Sequence, residues 1–260
     1  MRLGAPPAPA ASGMPDAFVA AVAAVVAAVG AGARRLVLAL TVSGAALGAA
    51  SPAMAGAWLQ EKGSGLLAFS HEANRDRTWD SRWGYNSLYV EYGMTPKLTL
   101  GLDAGQGDDA DDWKAIAFLR FATELGWMPG RLATEFGAGA AGAPGGLTEP
   151  VIRTGLSWGT GFTTPDGTGW INLDARTDTR PQSALVDYKL DITLGVMPNP
   201  RTQLTLELWG EDSATEARRV KLSPAISRRI GKGTWLRLGG IFGIHNDRSI
   251  GLVIGSRIEF

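Results

Sequence analysis

The chain has 260 residues, 25 basic against 25 acidic, and no cysteine. Formal neutrality removes the electrostatic footprint of nucleic-acid binding, so no nucleic-acid partner is expected, and the lack of thiols excludes disulfides and thiolate metal centres. Hydrophobic residues make up 45% of the sequence, but beyond residue 56 no apolar run approaches the roughly 20 residues that a membrane-crossing helix needs.

Residues 1–33 are rich in Ala, Pro and Val, with an apolar run from Ala17 to Val29. Two readings stay open: a weakly apolar anchor or helical hairpin, or a start of translation that truly lies just upstream of Arg34. Arg34 and Arg35 then precede an apolar run from Leu36 to about Ala50, followed by Ser51-Pro52-Ala53-Met54-Ala55. A basic stretch, an apolar stretch and an Ala-x-Ala site read as a secretory signal peptide. Cleavage is expected after Ala55, with the mature protein starting at Gly56. The arginine pair alone is too little to assign the twin-arginine route.

From Trp58 onward the chain alternates with a period of two. Val186, Tyr188, Leu190, Ile192, Leu194 and Val196 share one parity, and Asp187, Lys189, Asp191 and Thr193 the other; this is a strand signature. Strands are expected over 58–70, 82–94, 98–106, 114–126, 131–139, 151–162, 169–177, 184–197, 201–210, 218–230, 234–245 and 249–260. The first is the weakest, because Lys62-Gly63-Ser64-Gly65 blurs its phase, and a count of ten stays open if it pairs poorly. Two classes of connection alternate along the chain. Thr95-Pro96-Lys97, Met128-Pro129-Gly130, Thr164-Pro165-Asp166-Gly167, Pro198-Asn199-Pro200 and Gly231-Lys232-Gly233 are tight turns, in which Pro and Gly set the backbone. His71–Ser81, Gly107–Trp113, Ala140–Pro150, Asp178–Ser183, Glu211–Arg218 and Asn246–Arg248 read as longer or more polar loops. Short turns at one end and longer loops at the other suit a closed, up-and-down antiparallel transmembrane β-barrel of twelve strands.

Tryptophan is abundant, at 9 residues. Trp58, Trp127, Trp170 and Trp235 fall beside the barrel termini or the short turns, and Trp79, Trp83, Trp113 and Trp209 beside the longer loops. Two aromatic girdles are expected from them, with rings against acyl chains and N–H groups against headgroups. Trp158 lies within a strand and is the exception.

The last segment carries Ile250, Leu252, Ile254, Ser256, Ile258 and Phe260 on one parity and Gly251, Val253, Gly255, Arg257 and Glu259 on the other. A strand of this kind ending in an aromatic residue resembles those of bacterial outer-membrane β-barrel proteins, especially small barrels described as transporters or porins. The resemblance covers about residues 56–260 and rests on pattern, leader and final residue rather than on a local motif. It implies an outer-membrane location, with the short turns periplasmic. It also implies that Phe260 is an assembly signal for the barrel-assembly machinery, and that lipid and lipopolysaccharide are partners. The oligomeric state is left open.

If the apolar parity meets lipid, the other parity lines the lumen. It carries Glu91, Asp103, Arg120, Glu124, Glu135, Arg153, Asp174, Arg176, Asp187, Lys189, Asp191, Glu207, Lys221, Arg229, Arg237, Arg257 and Glu259. Both signs occur, with acids more frequent before residue 210 and bases after it, which suggests one wall richer in base facing or abutting one richer in acid. Enclosed charges must be hydrated or paired, so the lumen is either a narrow polar pore or a plug. Inward glycines such as Gly101 and Gly195 favour the pore. Passive passage of a small polar solute is the expected function; a closed structural or surface-interaction barrel is the alternative.

A third reading is a lipid hydrolase at the rim, as in twelve-stranded outer-membrane phospholipases and lipid A deacylases, which use Ser and His. His245 and Ser249 share the inward parity across a hairpin with Asp247 at its tip, whereas His71 falls on the lipid-facing parity. A Ser–His pair within hydrogen-bond reach is the minimum for an activated nucleophile, but the hairpin also reads as an ordinary polar turn and no catalytic residue is assigned. Asp108, Asp109, Asp111 and Asp112 crowd one outer loop. They lack the spacing of a calcium-binding helix–loop–helix and read as a solvated loop, with ion bridging to lipopolysaccharide as the lesser alternative. No metal site and no cofactor are expected.

Overall fold

A computed structural model describes residues 56–260 except Asp80, Leu125, Trp127, Met128, Asp166 and Thr215. The extension, the leader, the cleavage position at Ala55 and Trp127 lie outside the described residues.

Twelve strands follow in order: β1 (Gly65–Asp76), β2 (Arg82–Thr95), β3 (Leu98–Gly107), β4 (Trp113–Glu124), β5 (Arg131–Ala143), β6 (Leu147–Thr164), β7 (Gly167–Arg180), β8 (Leu185–Asn199), β9 (Thr202–Asp212), β10 (Arg219–Arg229), β11 (Thr234–His245) and β12 (Ser249–Glu259). Each pairs antiparallel with its neighbours in sequence, and β1 pairs with β12 from Leu66↔Glu259 to Asp76↔Ser249, so the sheet closes into a barrel. Closure leaves no free edge, which a strand assembly in hydrocarbon requires. The seam is finished by the last residue: the Gly65 N–H donates to the Phe260 carbonyl at 2.7 Å and the Phe260 N–H to the Gly65 carbonyl at 3.0 Å. The Phe260 ring lies outside over Gly65, where any side chain would collide with it.

Side-chain polarity is inverted relative to a soluble protein. On β4, Leu119 and Phe121 point outward at 40% and 43% exposure, while Arg120 between them points inward at 3%. On β12, Leu252 and Ile254 are 61% and 53% exposed while Val253 is buried. Phe136, Ile152, Leu156, Leu204, Leu206 and Leu238 extend the outer apolar belt around the wall. Keeping a Leu, Ile or Phe side chain from water is worth about 1.5–3 kcal/mol, so a continuous belt of them suits acyl chains and not solvent. Among the described residues Ile116, Ala141 and Val151 form a small apolar nucleus inside, beside the inward Phe118, and Trp170, Trp235, Ile241 and Val253 are buried apart from it.

Three departures from the expected strand boundaries bear on the lumen and its rims. First, β1 starts at Gly65 rather than at residue 58, and residues 56–64 turn into the barrel. The chain reverses at Gly63, whose φ of +85° disfavours other residues. Second, the supposed loop from Ala140 to Pro150 is mostly strand: pairing runs to Ala143↔Leu147, leaving only Pro144-Gly145-Gly146 as the tip. Ala and Gly there carry no alternating signal, yet the ladder needs only their backbones. Third, β1 and β7 continue to Asp76 and Arg180, into segments that read as polar loops. The connections at that end, called the loop rim below, are therefore short and the strands longer. The opposite end, with the Pro/Gly turns and both barrel termini, is the turn rim.

Candidate functional site

The lumen gathers most of the charged residues that alternate inward. On the β2–β5 wall, Arg120 bridges Glu91 and Glu135, donating to Glu135 at 2.5 Å and also to Glu91. The Tyr89 hydroxyl donates to Glu91 at 2.6 Å and accepts from Arg120 at 3.0 Å. The guanidinium lies 5.0 Å above the Phe118 ring, which rests on Gly101 across the strand pair and leaves no room for a side chain there. A buried charge is tolerable only when paired and hydrogen-bonded, and this cluster meets that condition with partners from β2, β4 and β5.

Nearer the loop rim, Arg153 grips Asp178 through two bonds of 2.7 and 2.9 Å and reaches Asp103 at 2.6 Å. Lys114 meets Asp178 at 3.2 Å. Arg176 bonds Asp191 at 2.6 Å, Lys189 lies 3.5 Å from Glu211, and Arg180 bonds Asp187 at 2.9 Å. Several of these pairs skip strands: Arg153 on β6 reaches β3, and Lys114 on β4 reaches β7. Such chords fill the interior beside β2–β7.

On the other side, Arg237 holds Glu207 through two parallel bonds of 2.7 and 2.8 Å, and the Trp209 indole donates to the same carboxylate at 3.1 Å. Arg257 meets Glu259 at 3.1 Å, and Lys221 lies 3.8 Å from Asp247. Each basic residue after 210 named here thus has its own acidic neighbour. Pairing across adjacent strands and by strand-skipping chords neutralises charge locally on both sides of the lumen.

Between these halves runs a cavity of about 1290 Å³. Its loop-rim end is lined by Asp108, Asp111, Asp112 and Glu216, and its far end by Ser227, Trp235 and Gly56. Small side chains open it along one side: Ser70, Thr193, Thr205 and Gly255. The inward glycines contribute less space than their number implies, since neighbouring rings occupy it, Phe118 over Gly101 and Trp170 over Gly195.

Two charges of the inward parity lie at the turn rim rather than in the lumen. Glu124 is exposed and 3.5 Å from Arg131, and Arg229 is exposed beside Trp235, 5.7 Å from its ring. Tyr89, Lys114, Asp178, Arg180 and Glu211 complete the network although the sequence reading did not single them out. Continuing the period of two from Asp174 and Arg176 finds Asp178 and Arg180.

The tryptophans correct the girdle expectation. Trp170 and Trp235 are 1% and 4% exposed and point inward, Trp235 beneath Arg257 at 5.0 Å. Trp83 and Trp209 share the inward parity of Glu91 and Glu207 and line the cavity. Trp58 lies inside against Gly159. Trp113 takes the outward parity, and Trp79 is exposed in the loop after β1. Position near a strand end was read as a lipid interface, but parity decides the side, and in these strands it aims the indoles at the lumen.

The histidines do not assemble a nucleophile. His245 accepts from the Asn246 amide at 3.2 Å, and the Ser249 hydroxyl has no hydrogen-bond partner among the described residues. Asp247 accepts the Ser249 backbone N–H at 2.7 Å and faces Lys221. His71 points outward, 3.0 Å from Asn86. In the acidic loop, Asp108 accepts the Gly84 N–H at 2.6 Å, and Asp111 accepts the Gly145 and Gly146 N–H groups at 3.0 and 3.1 Å. These two carboxylates brace neighbouring hairpins. Asp112 has its pKa raised, first by burial and then by Asp109 and Glu216.

No protein-family profile matches the sequence, and no curated protein does. Solved structures do match in three dimensions. The chain is similar to a KdgM porin (TM-score 0.57, 11% identity, covering 75% of this chain and 99% of the porin). It is similar to a KdgM porin in complex with disordered oligogalacturonate (TM-score 0.54, 10% identity, 75% and 99% covered). At such identities the likeness concerns the fold. That fold, with its closed wall and apolar belt, is the fold of an outer-membrane β-barrel.

Proposed function

We propose that the protein spans the bacterial outer membrane and lets small polar solutes pass through a narrow, off-centre channel. The observation that carries this reading is the cavity that continues from Asp108–Asp112 at the loop rim to Ser227 and Trp235 near the turn rim. Barrels of eight strands fill with side chains and those of sixteen or more leave a wide water channel. Twelve strands lie between, and here ion pairs fix one half while small residues leave the other open. Porin relatives by fold agree with passive transport as a class. The oligogalacturonate held by one of them is not carried over: Arg120, Arg153, Arg176 and Arg237 all face carboxylates, so no unpaired basic track awaits a polyacid.

In this reading the loop rim faces outward toward lipopolysaccharide, and the β12 strand with Phe260 is offered to the assembly machinery. Planar-bilayer recording of the refolded barrel tests the channel. Stepwise currents of small unit conductance are expected. Silence from barrels that keep their folded mobility on gels favours the closed structural alternative.

A further inference from the structure

Gly56 and Ala57 are buried inside the barrel, not on its rim. The segment from Gly56 to Ser64 crosses the lumen near the turn rim, from β2–β3 toward β6–β7. The Gln60 N–H donates to Thr99 Oγ1 at 3.0 Å and its side-chain amide to Glu91 at 2.7 Å. The Trp58 indole fills the space above Gly159. At the far end the Ala57 N–H donates to Asn172 Oδ1 at 3.2 Å, and Gly56 lies so close to the Asn172 amide that even a methyl group would collide with it.

The other nitrogen-bearing arm of Asn172 donates to Asp174, which also accepts from the Ser157 hydroxyl. Asp174 differs from the acids around it. Glu91, Asp103, Glu135, Asp178, Asp191 and Glu207 each have a cationic side chain within ion-pair distance, while Asp174 has none among the described residues. Its direct hydrogen-bond donors are neutral, and Arg176 and Arg120 act on it only from beyond ion-pair distance, so its burial is less fully offset than that of its neighbours. Gly56 packs against the same Asn172 amide that bonds Asp174.

We propose that cleavage before Gly56 adds a nearer positive charge: the freed α-ammonium is held inside the barrel as the close counter-ion of Asp174. Water adds across the Ala55–Gly56 peptide bond, leaving a carboxylate on the departing leader and an amine on Gly56 that takes up a proton. An uncut chain has an amide there, with no charge to offer. Removal of the leader therefore completes the interior. This inference concerns the mature terminus and holds whether or not the barrel conducts.

The test uses barrel purified from outer membranes and starts with its intact mass, which must correspond to a chain beginning at Gly56. Folded protein is acetylated at neutral pH with an N-hydroxysuccinimide ester, then unfolded and labelled with the heavy reagent. The tryptic peptide ending at Arg75 carries both the α-amine and the exposed Lys62 as internal reference. An ordinary α-amine has a pKa of about 7.7–8.0 against about 10.4 for lysine, so it reacts faster at neutral pH. Here the order is expected to reverse in the folded barrel and to return on unfolding, and D174N is expected to restore fast labelling. A mature chain beginning elsewhere, an α-amine that labels equally fast folded and unfolded, or a folded D174N that labels like the parent overturns the proposal. Should D174N not fold, the folded-to-unfolded ratio of the parent decides alone.

Discussion

Arg153 on β6 and Asp103 on β3 sit three strands apart around the wall and meet at 2.6 Å. The bond is a chord across the lumen, so this pair braces the barrel and narrows it together. Substituting Met for Arg153 removes the chord and leaves Asp103 and Asp178 enclosed without their main partner. Breaking a buried pair from one side costs about 3–5 kcal/mol. The variant is expected to unfold at lower temperature in detergent and to carry larger unit currents. A variant of unchanged stability would show that the chord is ornamental.

Arg237 and Glu207 line the open half of the lumen, with side chains 28% and 10% exposed. Neutralising one leaves the other facing the passage. Arg237→Gln is expected to shift the reversal potential in a salt gradient toward cation selectivity, and Glu207→Gln toward anions. Identical potentials for both variants would place this pair away from the conducting path.

Residues 56–63 obstruct the turn rim and join the wall only at its edge, where Lys62 bridges to Gly93 and the Gly63 N–H donates to the Gly93 carbonyl at 2.9 Å. A mature chain that starts at Ser64 keeps the Gly65–Phe260 closure. It is expected to fold and to show a larger unit conductance than the parent. Equal conductance would mean that the constriction lies elsewhere.

Asp112 lies in the loop-rim connection before β4, and its raised pKa has a clear sign. A carboxyl that binds its proton more tightly in the folded state costs stability when ionised, and the loop gains stability as pH falls through its elevated range. The Gly107 N–H donates to the Asp112 carbonyl at 2.7 Å and reports on the loop. Its hydrogen exchange, corrected for intrinsic rate, is expected to slow on mild acidification. In Asp112→Asn that pH dependence is expected to vanish.

Alternation alone made the twelve strands and their inward charges legible, because a period of two survives wherever bulky apolar residues mark one face. It fails where the sequence is small or mixed. Ala140–Gly142 pairs as strand with no hydrophobic signal, and Trp58 looks like a strand start although Gly63 turns its segment inward. Trp170 was misread because closeness to a turn says nothing about side; its even parity, shared with Asp174 and Arg176, does. Charge pairing was legible only in part. Local partners such as Arg120 and Glu135 face each other across adjacent strands, whereas Arg153–Asp103 depends on barrel closure and side-chain reach.

Everything proposed for the lumen rests on which parity meets lipid, and β4 is the place to measure it. The natural chain lacks cysteine, so single cysteines from 115 to 121 can carry a nitroxide in the barrel reconstituted in bilayers. Collision rates with dissolved oxygen are predicted to peak at Ala115, Ala117, Leu119 and Phe121 and to fall at Ile116, Phe118 and Arg120. The opposite phase, or no alternation at all, would contradict the account.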